Sequence, residues 1–303
     1  MRNLRIAGLR TLCVMGALSG TLAVGQEMPK PAPRRDGDRM TFSDKPEFLV
    51  LPGKGEASAV ECAVYPPRSS DTGAKRGLVL HFYGAGGSCR EYNMMRAPFA
   101  TVRQLLWERG YWLVVPNLGP AHWMKDAAVK SVDAIIEGMI RDRGVDPRRV
   151  HILGTSMGGG CGLIYVMRSP GRVRSICALF PMTDFSQWVK EKPQYLPGIA
   201  AAHGVKPSEA ASLLRALSPF DHASAFTGIP VFLLHGDADP TVPVHHSREF
   251  AAALQKQGSP VALREAHGLG HDDAVAEPFQ REIVDFLTGT AAQSDRDYAS
   301  PNL

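Results

Sequence analysis

A serine set between glycines at the end of an apolar run constrains this chain more than any other feature. Gly154-Thr155-Ser156-Met157-Gly158 follows Val150–Leu153, which reads as a strand, and precedes an apolar stretch that reads as a helix. A serine forced into so tight a strand-to-helix turn presents its hydroxyl at the sheet edge. Glycines flank it because a side chain there meets the turn or the next strand. The helix that starts at the serine points its dipole and free N–H groups at negative charge developing nearby. The bland reading of the motif is a glycine-rich turn with a structural serine, and the strand-to-helix context argues against it.

A serine hydroxyl is a poor nucleophile until a base takes its proton, and the base is normally a histidine oriented by a buried carboxylate. In the order serine, acid, histidine, two downstream stretches answer. Leu234-His235-Gly236-Asp237-Ala238-Asp239-Pro240 leaves the end of an apolar strand and offers Asp237 or Asp239. Asp237 reads better as a turn former that bonds its own backbone. Gly268-Leu269-Gly270-His271 precedes the last helix, and its glycines let the loop reach toward the serine. His267, His245 and His246 are weaker rivals, the last two read as starting a helix and facing solvent. His203 and His222 read as solvent-exposed. Acyl transfer also needs N–H donors for an oxyanion. One is Met157, after the serine. The other comes from the glycine-rich loop His81-Phe82-Tyr83-Gly84-Ala85-Gly86-Gly87, at Ala85 or alternatively at Tyr83.

Around these motifs, short apolar runs alternate with amphipathic stretches. The expected strands are Ala59–Tyr65, Gly77–Tyr83, Trp112–Val115, Val150–Leu153, Ser175–Phe180, Ile229–Leu234 and Val261–Glu265. Runs such as Val231-Phe232-Leu233-Leu234 are continuously apolar, which suits strands covered on both faces. Between them Ala128, Val132, Ile135, Ile136 and Met139 share one helical face, as do Val275, Phe279, Ile283, Phe286 and Leu287. Alternating strands and helices predict an α/β class with an open, mostly parallel sheet and helices on both faces. The domain is expected over 57–288, after an extended leader over 27–56 and before a loose tail over 289–303. Thr183 to Ala223 is too long for a bare loop, so it predicts a small helical cap over 183–223, with short helices near Ser186–Lys190 and Ser208–Leu217.

The N-terminus carries Arg2, Arg5 and Arg10 without acids, then the uncharged run Thr11–Val24 and the small residues Ala23-Val24-Gly25. This pattern predicts a signal peptide over 1–26, hence a periplasmic or secreted protein with no stable membrane span after cleavage. The formal charge of +4 includes those three arginines, so the mature chain is nearly neutral and no nucleic-acid partner is expected. Cys62, Cys89, Cys161 and Cys177 follow the signal; oxidising export permits disulfides, and Cys161 and Cys177 read as buried thiols. No cysteine and histidine cluster has zinc-site spacing, and no metal or cofactor is expected.

Together, GTSMGG at Gly154–Gly159, HGDADPTVP at His235–Pro243 and GLGH at Gly268–His271 resemble the α/β-hydrolase superfamily. The resemblance points to its prolyl-oligopeptidase-like, dienelactone-hydrolase-like and acetyl-xylan or feruloyl esterase-like branches, and covers roughly residues 57–288. It implies the α/β-hydrolase fold and a triad of Ser156, Asp239 and His271, Asp239 being the second aspartate of the HGxxDxxVP stretch. Where many relatives carry His-Gly at the oxyanion loop, this chain has His81-Phe82-Tyr83-Gly84. The chain lacks room for the propeller of the large oligopeptidases, which argues for a small esterase. The expectation is therefore a carboxylic-ester hydrolase working through an acyl-enzyme on a small-molecule or polysaccharide-linked ester. The alternative is a serine peptidase of aminopeptidase or dipeptidase type, with Glu191 or Glu209 holding a peptide amine. A non-catalytic binding module is the third reading, and all three triad members being present argues against it.

Overall fold

The computed structural model describes residues 42, 45–51, 60–68, 76–90 and 97–289. All of them belong to the unit Met40–Leu303. The expected signal peptide, most of the leader and nearly all of the tail lie outside these residues.

Eight strands form one sheet in the order β1-β2-β4-β3-β5-β6-β7-β8. They are β1 Glu47–Leu51, β2 Val60–Tyr65, β3 Arg76–Phe82, β4 Tyr111–Pro116, β5 Val145–Thr155, β6 Ser175–Leu179, β7 Val231–Gly236 and β8 Val261–Ala266. The β1–β2 and β2–β4 pairs are antiparallel, and from β4 onward every pair is parallel. This is the α/β-hydrolase fold that the motifs imply. All seven expected strands are present. The eighth, β1, corrects the expected boundaries, because the sheet starts inside the stretch read as leader. Its sequence Glu-Phe-Leu-Val-Leu hides the strand signal: Phe48 and Val50 stand exposed while Leu49 and Leu51 pack inward, so an apolar outer face masks the alternation.

The continuous apolarity of the central strands serves two covered faces, because successive side chains point opposite ways. Leu78, Leu80, Ile152, Ile176 and Leu233 pack beneath α2 (Asp126–Arg143), α3 (Met157–Arg168) and α7 (His245–Lys256). Val79, Leu153, Cys177, Phe232 and Leu234 pack under α1 (Phe99–Glu108) and α8 (Gln280–Thr288). In α2 the periodic face read from sequence is the buried one. The last helical pattern is split: Asp273–Phe279 is a tight 3-10 segment containing Pro278, and α8 follows it.

The cap is helical, as its length predicts. It holds α4 (Phe185–Glu191), α5 (Leu196–Ala202) and α6 (Ala211–Leu217), followed by helical turns over Pro219–Phe226. Asp184 starts α4 by accepting from the Gln187 N–H at 2.9 Å. The Ser218 hydroxyl closes the cap on itself, accepting from Phe185 N at 2.9 Å and donating to Leu214 O at 2.8 Å. Trp188 is buried, stacked on Tyr195 at 4.4 Å between ring centres and set against Trp123 at 6.0 Å. Among the described residues no helix is long and apolar enough to cross a membrane, and Cys62, Cys89, Cys161 and Cys177 are buried free thiols.

Candidate active site

Ser156 sits between β5 and α3 with φ +53° and ψ −120°, a conformation that side chains rarely adopt. Such strain costs of order 1–3 kcal/mol and persists only where the surroundings impose it. Here the Ser156 N–H donates to Leu179 O at 2.9 Å, and the glycines admit the tight turn. A Cβ on Gly158 would lie 2.0 Å from the Phe82 carbonyl oxygen, so only glycine lets α3 start this close to β3.

The base and acid arrive on two loops that touch. A Cβ on Gly236 would lie 2.2 Å from the Leu269 carbonyl oxygen, which explains the glycine after His235. The Ala238 N–H donates to that same Leu269 oxygen at 3.0 Å, locking the loop after β7 to the loop after β8. The locked loops put His271 Nδ1 2.7 Å from Asp239 Oδ2 and His271 Nε2 2.8 Å from Ser156 Oγ. A carboxylate only accepts, so Nδ1 carries the ring proton and Nε2 is left to accept from the serine hydroxyl.

Asp239 is buried, with its side chain fully out of solvent. Burial pushes its carboxyl up, but bonds from His235, His271 and the Val242 N–H outweigh it and hold the group well below the usual carboxylate range. Asp239 Oδ1 accepts from the N–H groups of Thr241 at 2.8 Å and Val242 at 2.9 Å, leaving Oδ2 to face the histidine. The acid is thus ionised and oriented, the state that stabilises an imidazolium.

Sequence reasoning missed two residues of this site. His235 is buried, with Nε2 2.8 Å from Val242 O and 3.4 Å from Asp239 Oδ2, and Nδ1 2.7 Å from Ser247 Oγ. It pins the turn that carries the acid. Phe180 packs its ring edge-on against His271 at 4.5 Å, held at φ +37° with its N–H on Leu234 O at 2.6 Å. Its signal was the residue following the apolar run of β6.

The remaining candidates fall into place by contact. Asp237 stays outside the triad, as expected, but it does not bond its own turn: it accepts from Gly268 N at 2.6 Å and pairs with the exposed His267 at 2.7 Å, across to the loop after β8. A Cβ on Gly84 would lie 3.5 Å from Ser156 Cβ, so the loop bearing Tyr83 and Ala85 runs beside the serine. The Tyr83 ring points away, its hydroxyl donating to Asn117 Oδ1 at 3.2 Å. Met157 opens α3, where helix geometry leaves the first N–H groups without an intrahelical acceptor. His222 is exposed, as read from sequence. His203 is half-buried, its Nε2 2.9 Å from Trp123 O. His245 and His246 do start a helix, α7, but they do not face solvent. His246 is buried and His245 partly so, because the cap packs over them and Glu191 meets both rings. Glu209 is exposed beside Lys206.

A strained serine, a bridging histidine and a buried carboxylate at the ends of three parallel strands define a serine hydrolase of the α/β-hydrolase fold. The sequence profile of the prolyl oligopeptidase family matches residues 120–293, and the chain belongs to that family. It is 26% identical over 113 residues to the uncharacterized peptidase YtmA of Bacillus subtilis (strain 168), covering 37% of this chain and 44% of that one. Its fold is similar to a puromycin-hydrolyzing peptidase of Mycobacterium tuberculosis, at 21% identity and TM-score 0.66, covering 80% of this chain and 39% of that one. It is also similar to dipeptidyl peptidase 4 of Porphyromonas gingivalis, at 19% identity and TM-score 0.61, covering 80% and 35%. The matched region is less than half the length of each of these proteins.

Proposed function

We propose that this chain is a serine peptidase acting on short peptides or aminoacyl amides through an acyl-enzyme. The observation that carries the reading is the unbroken path from Asp239 through His271 to Ser156, at 2.7 and 2.8 Å, in a member of the prolyl oligopeptidase family. Ser156 Oγ attacks the carbonyl carbon as His271 Nε2 takes its proton. His271 then gives that proton to the leaving amine, and water repeats the sequence to release the acid. The Met157 N–H and a backbone N–H of the loop at Ala85, or alternatively Tyr83, hold the oxyanion. Family membership supports an amide substrate over the ester expected from sequence. Ester cleavage stays a side activity of the same triad, since the acyl-enzyme is common to both. Export is part of the proposal and rests on the basic start and apolar run at 1–26.

A panel of aminoacyl and dipeptidyl p-nitroanilides beside p-nitrophenyl esters tests the substrate class. The proposal expects anilide turnover with kcat/KM above that for simple esters of the same acyl group relative to uncatalysed rates. Ester turnover with inert anilides would return the assignment to an esterase.

A further inference from the structure

We propose that Glu191, His245 and His246 form a binding site for a divalent transition metal, zinc by its ligand chemistry, that clamps cap helix α4 to α7. Glu191 ends α4, and the two histidines open α7. His245 Nε2 lies 3.0 Å from Glu191 Oε1 and His246 Nε2 3.3 Å from Glu191 Oε2. One ligand atom from each of the three residues lies within 4.8 Å of the others.

Neighbouring helical residues normally point about 100° apart. Here the two rings instead stack, 4.5 Å between centres and 28° between planes, and converge on one carboxylate. Zinc binds imidazole nitrogen and carboxylate oxygen at about 2.0–2.2 Å, so the edges of a tetrahedral site measure about 3.3–3.6 Å. The ligand atoms already lie within 4.8 Å of one another, and side-chain rotation that draws them to that edge admits the ion. Two imidazoles with one carboxylate select zinc, copper or nickel over magnesium and calcium, which take all-oxygen sites. Glu249 Oε1 lies 3.4 Å from His245 Nδ1 without a hydrogen bond between them, so that nitrogen, like His246 Nδ1, has no hydrogen-bond partner among the described residues. A fourth position stays open for water.

The site is separate from the triad but coupled to it. Trp188, one turn before Glu191, donates to Thr241 O at 3.1 Å, and the Thr241 N–H donates to Asp239. Metal bound at Glu191 therefore fixes the cap against the loop that carries the acid.

The test is zinc titration of the chelator-treated full chain by calorimetry, with cobalt as a spectroscopic probe. E191Q and H245N remove ligands, and H267N removes an exposed surface histidine as a control for adventitious binding. The wild type and H267N are expected to bind about one zinc, with intense visible cobalt bands of a tetrahedral site. Their melting temperature is expected to rise by about 5–10 °C at free zinc a hundredfold above Kd. E191Q and H245N are expected to lose affinity at least tenfold and to lose the shift. Absence of binding to the wild type overturns the proposal, as does wild-type affinity in both ligand variants. Because the readouts are binding and melting, they stand apart from the peptidase assignment.

Discussion

The indole Nε1 of Trp188 donates to the Thr241 carbonyl at 3.1 Å, joining the cap to the turn that carries Asp239. Trp188→Phe keeps most of the aromatic packing against Tyr195 and Trp123 but removes this donor and leaves a carbonyl without it. Loss of one such bond with partial loss of ring area is expected to cost about 1–3 kcal/mol. Urea unfolding measures that cost. A severalfold fall in kcat should accompany it, because the acid turn is less well held.

Asp239→Asn leaves the turn bonds from Thr241 and Val242 possible but presents an amide to His271. The ring then loses the acceptor that keeps its proton on Nδ1, and Nε2 is no longer free to take the serine proton. By analogy with other triads kcat should fall roughly 10⁴-fold. Steady-state kinetics beside an unchanged circular dichroism spectrum checks it.

Gly158→Ala drives a methyl into the Phe82 carbonyl, a backbone atom that cannot step aside. The expected penalty is about 3 kcal/mol or more, lowering the melting temperature by roughly 6–12 °C. Gly138→Ala is the matched control. It lies mid-helix in α2, where the nearest atom is 3.9 Å away at the end of a flexible arginine. That substitution should raise stability by about 0.5–1 kcal/mol. Thermal melts of the pair separate a close approach from a general intolerance of change.

Acid should begin to destabilise this protein above the pH at which its carboxylates titrate. Burial pushes His81 and His151 down to about 3, Arg149 and Arg174 adding to the effect at His151. Burial also pushes His122 down to about 3, with help from Lys125. Below the unfolded histidine value of about 6.5 the unfolded chain binds protons that the native chain refuses, so stability rises with pH and falls on acidification. Each histidine that stays neutral contributes roughly 1.4 kcal/mol of loss per pH unit. Asp239 acts lower down: its depressed carboxyl stabilises the fold above about 3.9, and that contribution is lost only as pH falls further. Urea midpoints should therefore begin to fall below about pH 6.5 and go on falling toward about pH 3, the value to which burial holds these three histidines.

The meeting of Ser156, Asp239 and His271 was legible because each sits in turn chemistry that local sequence dictates: glycines around Ser156, Asp239 after an apolar strand, His271 in a glycine loop. What stayed hidden depends on partners distant in sequence. His235 looked like part of a motif, yet its bonds to Val242, Asp239 and Ser247 arise only once the turn and α7 fold back on it. His246 read as exposed because a helix start reveals nothing of the cap that buries it. β1 escaped because an edge strand with apolar residues on both faces lacks the alternation that marks a one-sided strand. Peptide against ester preference was not legible at all, since both reactions use the same three side chains.

The most direct measurement is intact-mass and peptide-level analysis after treatment with a fluorophosphonate, which reacts with an activated serine. One adduct is expected, on Ser156, formed in step with loss of activity and absent from Ser156→Ala. An active protein that stays unlabelled, or is labelled elsewhere while Ser156→Ala keeps its turnover, would contradict the role of Ser156 as nucleophile.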